Sequence, residues 1–222
     1  TTKNLGYDVT KDLVRVALSV RNFNVLVTNN NVPFKTLPEL ISWAKANPGK
    51  LSYGSSGAGT ISQQEMELFK IATGTDIPEI PYKSTAQAMT DLIGGQLSLF
   101  PVVVPLVAQH LQSGRAKGLA VFDARRSQLL PDVPAVTEEP TIVGYAPTPV
   151  WYGFVAPSQT PPTVIATLTG LINTAMSSAE VKSRLQTLGA QPINVGSEQF
   201  LADIKREYEK ASELSKKMGT AK

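Results

Sequence analysis

The chain has 222 residues, 42% of them apolar and 18% charged, which is enough apolar material for a buried core and argues against disorder. It contains no cysteine and one histidine, which excludes disulfides, thiolate metal sites and a cysteine nucleophile. The net charge of +3 is mixed along the chain without a groove-reading motif, and no apolar run is long enough to span a membrane, so neither nucleic acid nor a bilayer is expected as a partner.

Apolar, β-branched runs alternate with amphipathic runs along most of the sequence. Strands are predicted at residues 13–20, 24–27, 51–55, 77–82, 97–100, 117–122 and 151–156. Helices are predicted near residues 37–46, 66–73, 86–93, 104–111, 162–177, 179–188 and 197–218. Short joints containing glycine connect them. The pattern predicts an α/β protein with βαβ units and a mainly parallel sheet covered by helices.

The predicted elements fall into two groups. Residues 24–147 contain enough strands and helices for a complete α/β lobe, with a proline-rich, irregular stretch at 124–149 that we expect to bridge two bodies. Residues 1–23 and 148–222 offer several amphipathic helices but one or two strands to cover. We therefore expect the second lobe to lack strands, and the chain to be an N-terminally truncated piece of a longer protein. Uncovered apolar helix faces would favour domain swapping or self-association.

The segment YGSSGAGTISQQ, residues 53–64, joins a predicted strand to a predicted helix. It holds two glycines and four hydroxyl side chains: Gly57, Gly59, Ser55, Ser56, Thr60 and Ser62. Glycines allow close approach of the backbone, and the free amides and dipole at a helix start attract carboxylate or phosphate. An ordinary capped turn has the same composition. On spacing alone, both interpretations stay open.

Enzyme motifs are incomplete at this turn. A nucleotide-binding loop needs Lys followed by Ser or Thr after its last glycine, but Thr60 follows Gly59. A nucleophile elbow needs glycine two residues after the serine, and Ala58 stands there. The histidine, His110, lies in a predicted helix and is better explained as an ordinary helix residue than as a base. Nothing in the sequence demands an enzyme.

Two further strand ends are candidates for the same edge of the sheet. Lys83 follows the predicted strand 77–82 and could attract an anion there. Pro101 and Val102 follow the strand 97–100 and could supply an apolar wall.

Several stretches in collinear order resemble one family. They are YGSSGAGTISQQEMELFK, IPEIPYKSTAQAMTDLIGGQLSL, LQSGRAKGLAV, RRSQLLPDVPAVTEE and WYGFVAPSQTPP. Together they resemble the Bug family, the extracytoplasmic substrate-binding proteins of tripartite tricarboxylate transporters. The resemblance covers essentially the whole chain.

The resemblance implies a periplasmic binding protein with the two-lobed type II fold and two crossover strands, which closes like a flytrap on a small organic carboxylate. It implies no catalysis and no cofactor, and it makes a tripartite tricarboxylate permease a candidate partner. Family members hold the carboxylate through backbone amides and hydroxyls at strand-to-helix turns. The residues that carry over are Ser55, Ser56, Gly57, Gly59, Thr60 and Ser62.

Two departures from the family pattern bear on the ligand. The glycine-rich opening turn of the first lobe is absent from residue 1 onward. The family's aspartate after the strand 97–100 is replaced by Val102, which favours a plain or aromatic carboxylate over an amino acid. Two other functions remain as alternatives: a small-molecule hydrolase that uses Ser55 or Ser56, and the effector-sensing domain of a transcription regulator.

Overall fold

The chain divides into two compact units. The computed structural model describes residues 6–8, 11–148, 150–195, 204–210 and 212–214. The central unit comprises Phe23–Pro149, and the terminal unit comprises Thr1–Asn22 together with Val150–Lys222. The chain therefore passes from one unit to the other twice, after Asn22 and after Pro149.

Most predicted elements are present, with shifted ends. In chain order they are β1 (Leu13–Asn22), β2 (Asn24–Thr28), α1 (Leu37–Ala46), β3 (Tyr53–Ser55), α2 (Ile61–Thr73), β4 (Glu79–Pro81), α3 (Thr85–Ile93), β5 (Leu99–Val103), α4 (Val104–Gln112), β6 (Lys117–Val121), β7 (Val150–Pro157), α5 (Pro162–Ser177), α6 (Ala179–Thr187) and β8 (Gln191–Val195). A single 3-10 turn spans Val136–Glu138. None of the described helices is both long and apolar enough to cross a membrane.

The central unit is built on a five-stranded sheet with the order β4-β3-β5-β2-β6. Strand β3 runs parallel to β4 and β5, whereas β2 runs antiparallel to β5 and β6. The prediction of a mainly parallel sheet is therefore confirmed for four strands and wrong for β2. Strand β2 is inserted between β5 and β6, which are themselves connected by α4.

Helices cover both faces of this sheet. Leu26 packs into a core with α1 and α2, while its neighbours Val25 and Val27 pack into a second core with α3 and α4. This alternation is the two-residue period of a strand that is buried on both sides. The sheet is thus fixed as a rigid support for the turns at its edges.

The proline-rich stretch 124–149 belongs to the central unit. Val136 and Tyr145 are buried in the core shared with α1 and α2, and the Tyr145 ring stacks on Phe122 with centroids 5.8 Å apart. The Arg126 guanidinium makes a two-nitrogen contact with the Glu138 carboxylate and also donates to the Pro131 carbonyl at 2.9 Å. These contacts attach most of the segment to the central unit, and its end leads into β7 of the terminal unit.

The terminal unit has a three-stranded antiparallel sheet with the order β7-β1-β8. One or two strands were predicted here. Strand β8 was not predicted, because its proline and polar residues give a weak strand pattern. Thr169 of α5 donates to the Val16 carbonyl at 3.0 Å. Of the predicted helix 197–218, the structure describes residues 204–210 and 212–214 as helical, and the remainder lies outside the described residues.

Candidate functional site

The predicted turn lies at the carboxyl edge of the parallel strands. It leaves β3 at Ser55 and enters α2 at Ile61, and β3 is flanked by the parallel strands β4 and β5. Parallel strands end on the same edge, where ligands of α/β sheets commonly bind. The turn therefore lies beside the ends of β4 and β5, as the sequence predicted.

Two glycines give the turn its shape. Gly57 has a φ of 106° and Gly59 a φ of 79°, which is the backbone region that residues with a Cβ rarely adopt. Between them the chain folds back, so that the Thr60 hydroxyl donates to the Gly57 carbonyl at 2.6 Å. The Ser62 hydroxyl accepts from the Ser56 amide at 3.2 Å. These bonds fix the loop without using the amides of the first turn of α2.

Glu79 of β4 holds the turn through two hydrogen bonds. The Ser55 hydroxyl donates to one of its carboxylate oxygens, and the side-chain amide nitrogen of Gln63 donates to the other at 2.8 Å. Each of these side chains in turn accepts from a glycine: Ser55 Oγ from the Gly57 amide at 2.9 Å, and Gln63 Oε1 from the Gly59 amide at 2.7 Å. Sequence reasoning missed both Glu79 and Gln63, since a lone acid on a short strand and a glutamine on a helix carry no signal of this role.

These contacts divide the predicted site residues into two groups. Ser55 is fully buried and Ser62 nearly so, and both hydroxyls are used inside the loop. The Gly57 and Gly59 amides are hydrogen-bonded within the loop as well. Ser56 is exposed and Thr60 half-buried, so these two face the surface of the turn. The structure thus gives Ser55 and Ser62 a supporting position.

The first turn of α2 lacks a side-chain cap. Thr60 occupies the N-cap position, but its side chain makes no capping hydrogen bond. Helices α1 and α3 differ: Thr36 accepts from the Glu39 amide, and Ser84 accepts from the Gln87 amide. The amides of a first helical turn need an acceptor from elsewhere when no cap supplies one. At α2 they form a positively polarised end of a 13-residue helix, suited to a carboxylate.

The remaining predicted residues lie at the ends of the neighbouring strands. The Tyr82 amide donates to the Ser55 carbonyl at 2.9 Å, which holds the end of β4 against the turn. The next residue, Lys83, is exposed. Pro101 and Val102 lie within β5 and are buried, Val102 being 3% exposed among the core residues of α3 and α4. Both side chains thus belong to the core of the central unit, and an apolar wall facing the ligand stays a prediction.

Features expected of a catalytic or metal centre are weak. His110 lies in the last turn of α4 and is half-buried. In the described parts of the chain, no group of three or more potential metal-ligating side chains comes together. The polar arrangement at the turn is one of amides, hydroxyls and an anchored carboxylate.

Comparison with known proteins gives a consistent set of relatives. The family model for the tripartite tricarboxylate transporter family receptor, TctC, matches residues 1–220. Protein BugT of Bordetella pertussis is 33% identical over 205 residues, covering 90% of this chain and 62% of BugT. The chain spans 62% to 66% of the length of the first curated relatives that it matches.

Solved structures of periplasmic binding proteins share the fold. The R. palustris protein Rpa4515 with adipate has a TM-score of 0.84 and 30% identity, and the match covers 97% of this chain and 72% of that one. MatC from Rhodopseudomonas palustris with bound malate has a TM-score of 0.73 and 26% identity, and the match covers 85% and 63%. The chain therefore belongs to the tripartite tricarboxylate transporter receptor family, that of the Bug and TctC solute-binding proteins, as its motifs predicted.

Proposed function

We propose that this protein is an extracytoplasmic solute receptor that captures a small organic carboxylate, with the carboxylate docked on the first-turn amides of α2. The observation that carries the proposal is the uncapped start of α2, where the Thr60 hydroxyl bonds the Gly57 carbonyl and leaves the helix amides without a side-chain acceptor. Ligand oxygens would complete the set of acceptors that α1 and α3 find in their own caps.

Exposed polar groups around the helix start complete the proposed site. Ser56 can donate its hydroxyl to the ligand, and Lys83 supplies a positive charge at the neighbouring strand end. A flexible lysine attracts an anion as a point charge and does not select among carboxylate shapes. Backbone amides and Lys83 therefore account for the anionic class of ligand, and other parts of the protein would set its length.

The class of ligand is supported by relatives. The two R. palustris structures hold adipate and malate, which are both dicarboxylates. For this chain we propose a dicarboxylate, tricarboxylate or aromatic carboxylate. Neither adipate nor malate carries an ammonium group. Plain carboxylates are therefore favoured over amino acids.

The wider role follows from the family. We infer that the protein acts in the periplasm, closes around its ligand like a flytrap and presents it for uptake or sensing, with a tripartite tricarboxylate permease as the candidate partner. A ligand that binds the closed form better shifts the population towards that form, which a partner can then recognise.

A receptor without catalysis fits the turn better than a hydrolase does. Ser55 is fully buried and its hydroxyl donates to Glu79, so it cannot reach a substrate carbonyl. Ser56 is exposed, and the described residues provide it with no hydrogen-bonded base, which a serine nucleophile requires.

Calorimetric titration tests the ligand class with matched pairs. Adipate is compared with 2-aminoadipate, and malate with aspartate, so that each pair differs mainly by an ammonium group. We expect the plain acid of at least one pair to bind and its amino counterpart to bind more weakly. Tight binding of the amino acids alone would contradict the proposal.

A further inference from the structure

Helix α2 contains a buried carboxyl group that the proposed ligand site does not use. Glu65 lies one turn beyond the start of the helix and is 0% exposed. The Asn24 side-chain amide donates to its Oε2 at 2.6 Å, while its Oε1 has no hydrogen-bond partner in the described part of the chain. A buried acid with a neutral partner and a free oxygen calls for an explanation.

Tyr145 presents a second buried polar group without a partner. Its hydroxyl is buried and makes no hydrogen bond to any described residue. The Tyr145 ring stacks on Phe122, the Phe122 amide donates to the Asn24 carbonyl at 2.8 Å, and the Asn24 side chain binds Glu65, so Tyr145 and Glu65 lie in the same part of the core. Burial, and then the charge of Glu65, raise the pKa of the Tyr145 phenol. A direct bond after a small adjustment, or one internal water, would satisfy both free oxygens, since an internal water needs two or more polar partners.

The surroundings favour the uncharged acid. A buried carboxylate without a cation is strongly disfavoured against its protonated form. Burial accordingly raises the pKa of Glu65 well above its ordinary value of 4.5, and the hydrogen bond from Asn24 opposes this only in part. A protonated carboxyl can accept from Asn24 through one oxygen and donate towards Tyr145 through the other, which a carboxylate cannot do.

The partners of Glu65 lie at the two ends of the central unit. Asn24 is the second residue of that unit, directly after the first passage of the chain, and Tyr145 lies four residues before its last residue, Pro149. Glu65 itself follows Ser62 and Gln63, whose side chains hold the ligand-binding turn. The carboxyl group on the helix that carries the site therefore binds the start of the unit and lies in the same part of the core as a residue near its end.

We propose that Glu65 is an uncharged positioning residue that fixes the ligand-binding end of α2 against the first and last segments of the central unit. The ligand part of this inference rests on the proposed carboxylate site. Ionisation of Glu65 would remove its donor, place a charge in the core and loosen α2 at the end where the ligand carboxylate docks.

The pH dependence has a defined sign. Among the described residues, Asn24 from β2, which binds Glu65, is neutral, and Tyr145 from the 124–149 stretch is a titratable group in the same part of the core. Because the folded-state pKa of Glu65 lies above 4.5, its contribution to folding is complete below about pH 4.5 and declines as the pH rises towards the folded-state value. In that range the unfolding constant rises by about tenfold per pH unit from this group alone.

Three variants of the whole chain test the inference. Glu65→Gln keeps an acceptor and a donor without a titrating proton, Glu65→Ala removes both, and Glu67→Gln changes a half-buried carboxylate on the same helix as the control. The measurements are a ¹³C NMR titration of side-chain carboxyls, urea unfolding across pH, and calorimetric titration with adipate.

We expect the Glu65 carboxyl to stay protonated at a pH at which exposed carboxyls have ionised. In the range above pH 4.5, the unfolding constant of the unchanged protein should rise relative to that of Glu65→Gln by about tenfold per pH unit. The unfolding constant of Glu67→Gln should have the same pH slope as that of the unchanged protein. Adipate affinity should fall by about tenfold in Glu65→Ala and change less than about twofold in Glu65→Gln.

Two results would overturn the inference: a Glu65 carboxyl that titrates together with the exposed ones, or a Glu65→Gln variant that loses as much adipate affinity as Glu65→Ala. If neither adipate nor malate binds the unchanged protein, the proposed carboxylate site fails for these probes. The carboxyl titration and the unfolding slopes then still decide the charge state of Glu65 by themselves.

Discussion

The hydroxyl of Thr60 lies 2.6 Å from the carbonyl oxygen of Gly57, and it donates its hydrogen bond there instead of accepting one from the helix that it precedes. Threonine is a favourable N-cap residue, but in this turn its hydroxyl is used for a hydrogen bond within the loop. The turn that brings the two groups together contains Gly57, whose φ of 106° is rarely adopted by residues with a Cβ. The start of α2 is thereby left without a side-chain cap.

Filling the N-cap from within should abolish carboxylate binding. We expect Thr60→Asp to cap α2 with its own carboxylate, which offsets the lost hydrogen bond to the Gly57 carbonyl, and to place a negative charge where the ligand carboxylate docks. Adipate affinity should fall by more than about tenfold, corresponding to 1.4 kcal/mol or more. Thr36→Asp, at the capped start of α1, is the matched control and should leave affinity unchanged. Equal affinity of the two variants would show that the α2 amides do not bind the ligand.

Replacement by alanine should have different effects at the two serines of the turn: a loss of stability at Ser55 and a loss of ligand affinity at Ser56. Ser55→Ala leaves a Glu79 oxygen and the Gly57 amide without their partner, so it should lower the free energy of unfolding by about 2 kcal/mol. Ser56→Ala removes an exposed hydroxyl and should change stability by less than about 0.5 kcal/mol while weakening ligand binding. Urea unfolding and calorimetry separate the two effects. A larger loss of stability from Ser56→Ala than from Ser55→Ala would contradict the assigned positions.

A side chain at Gly57 should interfere with the ligand directly. A Cβ at this position meets no atom within 4 Å, so Gly57→Asp would point a carboxylate into open space beside the helix start. We expect loss of adipate binding and a backbone cost of about 1–2 kcal/mol for the positive φ. Gly74→Asp is the control, because Gly74 also has a positive φ, of 65°, and open space around it, but lies at the other end of α2. If the affinity stays intact in Gly57→Asp, the site has been placed wrongly.

Much of the scaffold was predictable from periodicity. Helix α1 has an apolar stripe, a capping threonine and a closing Asn-Pro-Gly, and each signal agrees with the others. Strand β8 was missed because an edge strand reading QPINV has no clear alternation. The start of α2 was placed late, since its first residues are polar and carry no stripe. The antiparallel direction of β2 was not predictable, because the periodicity of a strand does not indicate which strands will pair with it.

The candidate site was predictable in position but not in its internal bonding. Glycines and hydroxyls between a strand and a helix indicated the turn, whereas the anchor Glu79 and the buried Glu65 read as ordinary surface acids. Charged residues are rarely fully buried, so a sequence pattern assigns them to solvent by default. The sequence pattern puts Val102 beyond a strand that ends at Phe100, whereas β5 continues to Val103.

Acid should loosen the proline-rich stretch through one ion pair. The Arg126 guanidinium and then the Ala135 amide lower the pKa of Glu138 from 4.5 to about 2. A lowered pKa means that this contribution to folding is present above pH 4.5 and is lost as the pH falls from there to about 2. Urea midpoints of the unchanged protein should therefore decline more steeply in that range than those of Glu138→Gln.

The geometry of that pair provides a second comparison. Arg126→Lys keeps the charge but loses the fork that binds both oxygens of Glu138 and the Pro131 carbonyl. We expect this variant to fall between the unchanged protein and Glu138→Gln in its acid slope. Identical acid slopes in all three proteins would show that the pair does not contribute to folding.

The terminal unit has large apolar side chains that are exposed to solvent. Helix α5 has no buried residue along its length, and Leu171 is 63% exposed. On β7, Tyr152 and Phe154 are each more than half exposed. Large exposed apolar areas promote association, and we therefore expect the chain to self-associate. Sedimentation velocity should then show association that increases with protein concentration.

A charged side chain on α5 should weaken the self-association of the chain. Leu171→Lys places an ammonium group where the apolar contact would form, and we expect it to raise the dissociation constant by about tenfold or more. Leu106→Lys changes a leucine that is 54% exposed on α4 of the central unit, and it should leave association unchanged. Because both variants add the same charge at a helical surface leucine, a difference between them locates the contact on the terminal unit. A chain that stays monomeric at all concentrations would contradict the prediction, and equal effects of the two lysines would indicate repulsion by net charge instead of a contact at α5.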